Sequence, residues 1–463
     1  MRRLFFGLAV LAVGPSVRPA GAQDTSAIDR GVRIGIVYRP GVRPGMVVLP
    51  VHTPALDSVR AIMSRDLDYS DRFELITLPG GDSIRVTAAA PGARPPAAGG
   101  TGRGTGGGAA AATTLNYPLY QALGADFAVA VTPAPGDSTV VTVHDVAAGG
   151  VRREVRTRLP ALKDPGFRLV VHQLADRVLD AALGVGGTAA TRVLFVMDGK
   201  VYSIDQDGAD QKLVSSSDHQ AMSPAWAGDG RRFSYMEFWQ GHGRLFVQEV
   251  GSGKRAPVAT TGQALDFTPA FSPDGKTLAF SRATEEGTDL YTVNFKDGCC
   301  LQRLTVGRFY DNLSPTYSPD GQRIAFVSTR AGLPQIYAMA ADGTDQQLLA
   351  PFDYGATGSS NAPEWSPDGQ SVAFHRDVGG TLQVFVLDVR TRAVRQLTSV
   401  GRNEDPTWAP DSRHMAFVSD RSGYRQLWII DLETGRIRPL LQKSGARLPA
   451  WSPRLPETAS STP

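Results

Sequence analysis

The sequence predicts a small α+β domain followed by an all-β propeller of six blades. Three observations carry this. First, a unit of four short apolar runs separated by turn signals recurs every 43–48 residues, with opening prolines at Pro224, Pro269, Pro315, Pro363, Pro406 and Pro449. A period of about 40–50 residues with four strands per unit marks a propeller. Second, the residues ahead of these units alternate strand and helix signals instead. Third, the last unit stops after its first strand, and residues 192–214 supply strands two to four of a unit with no first strand. Joined, the two fragments make a composite sixth blade that closes the ring and leaves no terminal sheet edge.

Residues 315–350, PTYSPDGQRIAFVSTRAGLPQIYAMAADGTDQQLLA, show one blade whole. Ser318-Pro319-Asp320-Gly321 is a type I turn: Pro presets φ at the second position, Asp suits the third and Gly the fourth. Ala341-Asp342-Gly343-Thr344 turns the third run into the fourth. An aromatic follows each opening proline by two residues: Trp226, Phe271, Tyr317, Trp365, Trp408 and Trp451. The second runs carry Leu278-Ala279-Phe280, Ile324-Ala325-Phe326, Val372-Ala373-Phe374 and Met415-Ala416-Phe417. Both faces of these strands are apolar, as sheets stacked between neighbours require.

Ahead of the propeller, strands are expected at 32–38, 46–51 and 73–78. Residues 54–70 read as a helix, with Leu56, Val59, Ile62, Met63 and Leu67 on one face. Residues 80–114 are biased to Gly, Ala and Pro and lack large apolar side chains, so burial cannot offset their ordering entropy; a disordered insertion is expected. A short helix at 117–123, strands at 126–131, 139–146 and 152–159, and a helix at 165–183 complete the domain. The resulting plan is a signal peptide at 1–22, a tail at 23–30, the α+β domain at 31–183, a linker at 184–190, the propeller at 191–453 and a C-terminal tail at 454–463.

The formal charge of +3, without a dense Lys/Arg block, argues against a dedicated nucleic-acid binder. Arg2 and Arg3, an apolar run at 4–13 and Ala20-Gly21-Ala22 form a signal peptide with cleavage after Ala22. No stretch reaches the roughly 18 apolar residues of a membrane span. A soluble, exported, monomeric protein is expected. The chain has two cysteines, the adjacent pair Cys299 and Cys300, at a strand-three-to-four turn. Neighbouring Cα atoms lie about 3.8 Å apart, below the usual disulfide span of about 4.4–6.8 Å, so a bridge there would be strained and a plain turn is the simpler reading.

Catalytic patterns are missing from the sequence. There is no G-x-S-x-G, H-E-x-x-H or C-x-x-C, and the seven histidines are scattered. Asp205, Asp207 and Asp210 have calcium-loop spacing, but position 12 is Ser216 rather than an acid, so a hairpin turn is the better reading. No catalytic, cofactor or metal site is expected. What remains is a binding scaffold. The loops leading into each blade ring the channel and mix aromatic with polar residues, as protein interfaces do. The ring candidates are His219, Gln220, Met222, Asp266, Phe267, Phe309, Tyr310, Asp311, Asn312, Tyr354, Asn361, Arg402, Asn403, Glu404 and Asp405.

The chain resembles the TolB family, the periplasmic propeller proteins of the Tol–Pal system. The strings FVSTRAGLPQIYAMAADG and FVSDRSGYRQLWIIDLETG, Thr191-Arg192-Val193-Leu194-Phe195-Val196, Met222-Ser223-Pro224-Ala225-Trp226 and Pro449-Ala450-Trp451-Ser452-Pro453 carry the likeness. So do Asp71-Arg72-Phe73-Glu74-Leu75 and Ala122-Leu123-Gly124-Ala125-Asp126 in the first domain. The insertion at 80–114 departs from the family pattern. The resemblance implies a non-enzymatic periplasmic adaptor. Its ring would bind the peptidoglycan-associated lipoprotein Pal, and its N-terminal segment (Gln23, Asp24, Thr25, Ile28, Arg30) would bind TolA and other inner-membrane Tol proteins. The implied roles are outer-membrane integrity and cell division. The alternatives are a propeller hydrolase or lyase working in the channel, and a glycan-binding or sensor protein of the envelope.

Overall fold

The computed structural model describes residues 43–51, 53–78, 115–136, 138–215, 219–239, 241–258, 260, 264–351, 358–443 and 445–457. The expected signal peptide, N-terminal tail, strand at 32–38 and insertion at 80–114 lie outside the described residues.

The first domain is a five-stranded sheet covered by helices. Strands β1 (Gly45–Val48) and β2 (Glu74–Leu75) flank helix α1 (Pro54–Tyr69) in the chain. The short helix α2 (Tyr117–Ala122) precedes the meander β3 (Phe127–Ala134), β4 (Ser138–Asp145) and β5 (Gly150–Arg158), and helix α3 (Phe167–Leu183) follows. The sheet order is β2-β1-β3-β4-β5, with β1 parallel to both neighbours. Val59, Met63 and Leu67 of α1 and Val171, Leu174 and Val178 of α3 bury against Met46, Phe127, Val129 and Val141 on one sheet face. Val47 and Ala128 point to the other face, toward Tyr120 of α2. A buried aliphatic side chain of this size stabilises by about 1.5–3 kcal/mol, so the helical stripes supply most of this core. Gly184 ends α3 with φ 70°, its N–H returning to the Asp180 carbonyl at 2.8 Å. That left-handed cap is why the helix stops there. The strand expected at 73–78 is shorter than expected: only Glu74–Leu75 pair.

The second domain is a six-bladed propeller, each blade a four-stranded antiparallel sheet, with blades 2 to 6 in sequence order from the channel outward. Blade 1 is composite: Arg447–Trp451 pairs antiparallel with Arg192–Met197, setting Trp451 opposite Val193. Blades 2 to 6 start with the inner strands Gln220–Trp226, Leu265–Phe271, Asn312–Tyr317, Ser360–Trp365 and Asn403–Trp408. Adjacent blades share cores. Val327 and Ile336 of blade 4 meet Trp365 and Phe374 of blade 5, and Ala373 and Val384 of blade 5 meet Trp408 and Phe417 of blade 6. In the Ser318 turn, the Gly321 N–H donates to the Ser318 carbonyl at 2.8 Å, and Ser318 Oγ donates to Asp320 Oδ1 at 2.6 Å.

The inner strands begin earlier than their prolines suggest. In blade 4 the strand opens at Asn312, not Pro315. Proline has no N–H for the ladder, so a bulge must absorb it. All six inner strands carry a register shift there, and the residue before each proline is left-handed: Ser223, Thr268, Ser314, Ala362, Asp405 and Leu448 have φ of 52°, 46°, 52°, 51°, 52° and 51°. Such a φ costs a non-glycine residue about 1–2 kcal/mol, which the closed ring of packed strands must offset.

The first domain sits on the propeller face made by the strand one-to-two and three-to-four turns. Arg168 of α3 reaches Asp207 at 2.6 Å and Asp205 at 3.0 Å in the blade 1 turn. Arg436 from the blade 6 turn reaches Asp68 and Asp71 at 2.9 Å. Arg438 stacks 3.9 Å from the Tyr69 ring centroid and donates to Gln206 Oε1 at 2.7 Å. The two-to-three hairpins and the loops leading into each blade therefore emerge on the opposite face.

Candidate protein-binding face

On that face, one arginine in each of blades 3 to 6 holds the incoming loop. Each stands near the end of a second strand and donates to the first residues of the neighbouring inner strand. Arg282 forks onto Asp266 at 2.7 and 2.9 Å, Arg330 Nη2 reaches Asn312 Oδ1 at 3.1 Å, Arg376 Nε reaches Ser360 Oγ at 2.9 Å, and Arg421 Nη2 reaches Asn403 Oδ1 at 3.0 Å. Each guanidinium also lies 4.7–5.6 Å from the centroids of aromatic rings in its own blade, for example Phe326 and Tyr337 beneath Arg330. Planar charge over a ring face is attractive, and Arg suits it better than Lys. In blade 2 a strand-four residue, Arg255, takes this place over Phe246 and pairs with Glu237. Sequence reading missed these arginines. Their signal is their recurrence at the blade period shortly after Phe280, Phe326, Phe374 and Phe417.

The arginines divide the ring candidates into two sets. Asp266, Asn312 and Asn403 are buried and engaged inside the protein. Asn312 Nδ2 donates to Asp289 Oδ1 at 3.0 Å, and Asn403 Nδ2 to Gln383 Oε1 at 2.9 Å. They shape the loops rather than face solvent. Phe267 and Met222 pack against the core between blades 2 and 3. Asn361 is half-buried, Asp311 Oδ1 accepts from the Thr288 N–H at 3.2 Å, and Arg402 pairs with Glu404 at 3.1 Å. Tyr310 donates its hydroxyl to the Val306 carbonyl at 3.1 Å under the Arg330 guanidinium. Gln220 is exposed, His219 is half-buried beside it, and Phe309 is 98% exposed. Tyr354 and the tail residues Gln23, Asp24, Thr25, Ile28 and Arg30 lie outside the described residues.

Phe309 has company. Phe238, Val306, Leu333, Val378, Val400 and Tyr424 are also exposed, and every one belongs to a hairpin or blade-entering loop of this face. Among the described propeller residues, the other exposed large apolar side chains are Leu213 and Leu348, on outermost strands. Scattered exposed apolar residues are ordinary; their concentration on one face points to an interaction surface.

The channel opens at the centre of the ring. It holds a cavity of about 160 Å³ lined by the six prolines, the residues before them and Glu364. Glu364 Oε1 accepts from Thr407 Oγ1 and the Trp408 N–H, both at 3.1 Å, and burial pushes its carboxyl up to about 8. Burial, with Glu404 nearby, raises Asp405 to about 6. His375 Nδ1 accepts the Asp405 N–H at 3.1 Å, and burial, with Arg402 nearby, holds this imidazole down near 4. Around pH 6 Glu364 and His375 are neutral and Asp405 is half ionised, and all three are tied into the blade 5–blade 6 junction.

Two further groups of ionisable residues lie where the domains meet. His172 sits 2.7 Å from Asp66 and 3.4 Å from Asp205, next to Asp207 and Arg168. His414 bridges Asp411 at 2.7 Å and Asp71 at 3.3 Å, with Arg413 forked onto Asp431 at 2.5 and 2.6 Å. A histidine and two carboxylates converge in each case, but arginines neutralise the acids, so both act as interdomain ion-pair networks. Asp205 and Asp207 belong to the first network, and their turn is the hairpin with Gly208 at φ 85°.

The profile of the family described as the TolB beta propeller domain matches residues 181–455, more than half of the chain. The chain belongs to the TolB β-propeller family. Curated relatives named Tol-Pal system protein TolB, from Bordetella pertussis and Bordetella parapertussis, are 30% identical over 183 residues, which is 39% of this chain and 41% of theirs. The chain thus aligns with about two fifths of the length of these TolB relatives. A crystal structure of TolB from Acinetobacter baumannii is 22% identical with a TM-score of 0.72, covering 89% of this chain and 98% of that one. At that identity the likeness establishes the fold: a mixed first domain and a six-bladed TolB-type propeller.

Proposed function

We propose that this chain is a non-enzymatic adaptor of a Tol–Pal system in the periplasm. Its free propeller face binds the lipoprotein Pal, and its N-terminal segment binds TolA or another inner-membrane Tol protein. The observation that carries this is the placement of Phe309 and its exposed apolar companions on the face turned away from the first domain. A rigid ring with projecting aromatic anchors is suited to a folded partner. The relatives named as Tol-Pal system proteins support the choice of system. Among the described residues no helix is long and apolar enough to cross a membrane, consistent with a protein working between two membranes.

The test is capture from a detergent-solubilised native envelope with the tagged protein as bait. Wild type is expected to recover a peptidoglycan-associated lipoprotein. Phe309→Ala is expected to weaken that capture by roughly tenfold, as loss of about 1–2 kcal/mol at an anchor would. Deleting residues 23–33 is expected to remove TolA capture and leave lipoprotein capture in place. Recovery of no lipoprotein by wild type rejects the reading. Equal recovery of both partners after the deletion rejects the assignment of the N-terminal segment.

A further inference from the structure

The cysteine pair stands on the three-to-four turn of blade 3, after the strand Gly287–Asn294. The turn is built by backbone bonds. The Gly298 N–H donates to the Asn294 carbonyl at 2.9 Å, the Asn294 N–H to the Cys299 carbonyl at 3.1 Å, and the Cys299 N–H to Asp297 Oδ1 at 3.0 Å. Consecutive side chains on an extended strand point to opposite faces, so adjacency alone would separate two thiols. Here Cys300 is left-handed, with φ 63°, a conformation non-glycine residues seldom adopt. The result is that both sulfurs lie on the same side, 2.7 Å apart, and both cysteines are exposed. Both side chains lie outside the core clusters of the propeller.

We propose that Cys299 and Cys300 form a redox-active vicinal dithiol that closes reversibly to a disulfide by exchange with small-molecule disulfides. The exchange balances without any group held by the protein. The Cys300 sulfur, as thiolate, attacks one sulfur of an external disulfide, breaking that S–S bond and expelling one thiolate. Cys299 then loses its proton and attacks the Cys300 sulfur of the mixed disulfide, expelling the second thiol. The pair loses two protons and two electrons, and the external disulfide takes them up to become two thiols. The order follows from the Asp297 carboxylate, which accepts the Cys299 N–H at 3.0 Å and disfavours a thiolate beside it. The neighbouring Cys300 sulfur and Asp297 push the Cys299 thiol up to about 12, so Cys299 keeps its proton until the mixed disulfide forms. A bridge between neighbouring residues is below the usual Cα separation, and it is solvent-exposed, so it belongs with the easily reduced disulfides rather than the structural ones. The reading of an exported protein would supply an oxidising compartment, but the chemistry does not depend on it.

The experiment equilibrates the purified full-length protein in graded mixtures of reduced and oxidised glutathione, quenches with acid, alkylates free thiols with N-ethylmaleimide and reads the intact mass. The expected series runs from a species carrying two maleimides to one carrying none and lighter than the dithiol by two hydrogens, with no glutathione retained. Adding dithiothreitol is expected to restore two labels. Cys299→Ser is expected to stop at a single glutathione adduct on Cys300, and Cys300→Ser to acquire little adduct under the same conditions. Because the turn is exposed, both variants are expected to keep the wild-type urea midpoint, which reports folding separately. Two labels persisting at every glutathione ratio overturn the proposal, as do two stable glutathione adducts on one chain or a disulfide-linked dimer in place of the internal bridge. Reversed behaviour of the two single variants overturns the assigned order of attack. None of these outcomes bears on Pal or TolA binding, so failure here leaves the adaptor reading standing.

Discussion

Arg330 joins three strands of blade 4. It donates to Ser328 Oγ at 2.9 Å, Asn312 Oδ1 at 3.1 Å and Gln346 Oε1 at 2.7 Å, and lies over Phe326, Tyr337 and Tyr310. Removing it strands the fully buried Asn312 carbonyl oxygen and loosens the loop that carries Phe309. Arg330→Ala is expected to lower stability by about 2–4 kcal/mol in urea titration, the range for leaving a buried polar partner unpaired together with a lost cation–π contact. Arg330→Lys is expected to recover only part, because an ammonium cannot fork and stack at once. Phe309→Ala should do the opposite: lower partner capture with an unchanged urea midpoint, since a side chain 98% exposed has almost no burial to lose. An equal loss of stability in Phe309→Ala would show the side chain to be packed in solution. This contrast marks the limit of the sequence reading at the residue scale. Asp266, Asn312 and Asn403 look like surface polar groups when their loops are read alone. Their arginine partners lie 16 or 18 positions away, across a strand pair whose register only the folded sheet defines. The same holds for the aromatics of these loops: Phe267 and Tyr310 are packed and Phe309 is exposed, a difference that the loop sequences alone do not carry.

At the scale of elements, periodicity was the readable quantity. Helix α1 was expected at 54–70 and spans Pro54–Tyr69, and the second strand of blade 4 runs Arg323–Ser328, opposite Gln335–Ala340. The 3.6-residue and two-residue patterns survive in any context that buries one face or both. The inner strands extend to the N-terminal side of their prolines, although a proline inside a ladder normally ends it. The six bulges reverse that expectation, and no local pattern distinguishes a proline that opens a strand from one that sits in a bulge. The composite blade was readable because two incomplete units add up to one. Its strength rests on Trp451, which is buried, donates its indole N–H to Thr191 Oγ1 at 2.8 Å and packs against Val193 and Phe195. Trp451→Ala is expected to cost about 3–5 kcal/mol by cavity formation. Removing residues 447–463 is expected to cost more, since it leaves Arg192–Met197 as an open edge beside the channel and breaks the ring. Thermal unfolding checks both. A melting temperature unchanged by the truncation would mean that the ring does not close through this strand.

At the scale of the whole molecule, the two domains are joined by buried charge, and this makes stability depend on pH in a stated direction. Burial alone would lower the His172 imidazole, but Asp66 and Asp205 overcome it and hold the pKa near 10 against an ordinary 6.5. Asp205 shows the matching effect: burial would raise it, yet His172, Arg192 and Arg168 hold it down near 2. Asp66, by contrast, is raised by burial despite His172, so Asp205 is the steadier anion of the pair. For His172 the folded pKa exceeds the unfolded one. Its contribution is therefore complete below about pH 6.5 and is lost as pH rises toward about 10. His414, raised by Asp411 and Asp71 against the effect of burial, acts in the same direction. The raised channel acids Asp405 and Glu364 also lose stability with rising pH, but their windows close near 6 and near 8. Between about pH 8 and pH 10 His172 remains a buried source of slope, with a ceiling of about 1.4 kcal/mol per pH unit for the proton it releases. The urea midpoint of the wild type is expected to fall across that interval. His172→Gln keeps a hydrogen-bonding side chain but cannot carry the charge. It is expected to be less stable at pH 7, by roughly 3–5 kcal/mol for an opened buried ion pair, and to have a flatter slope from pH 8 to pH 10. A variant slope as steep as that of the wild type would remove His172 from the account. The same titration on His414→Gln and on Cys299→Ser would then separate the other raised groups.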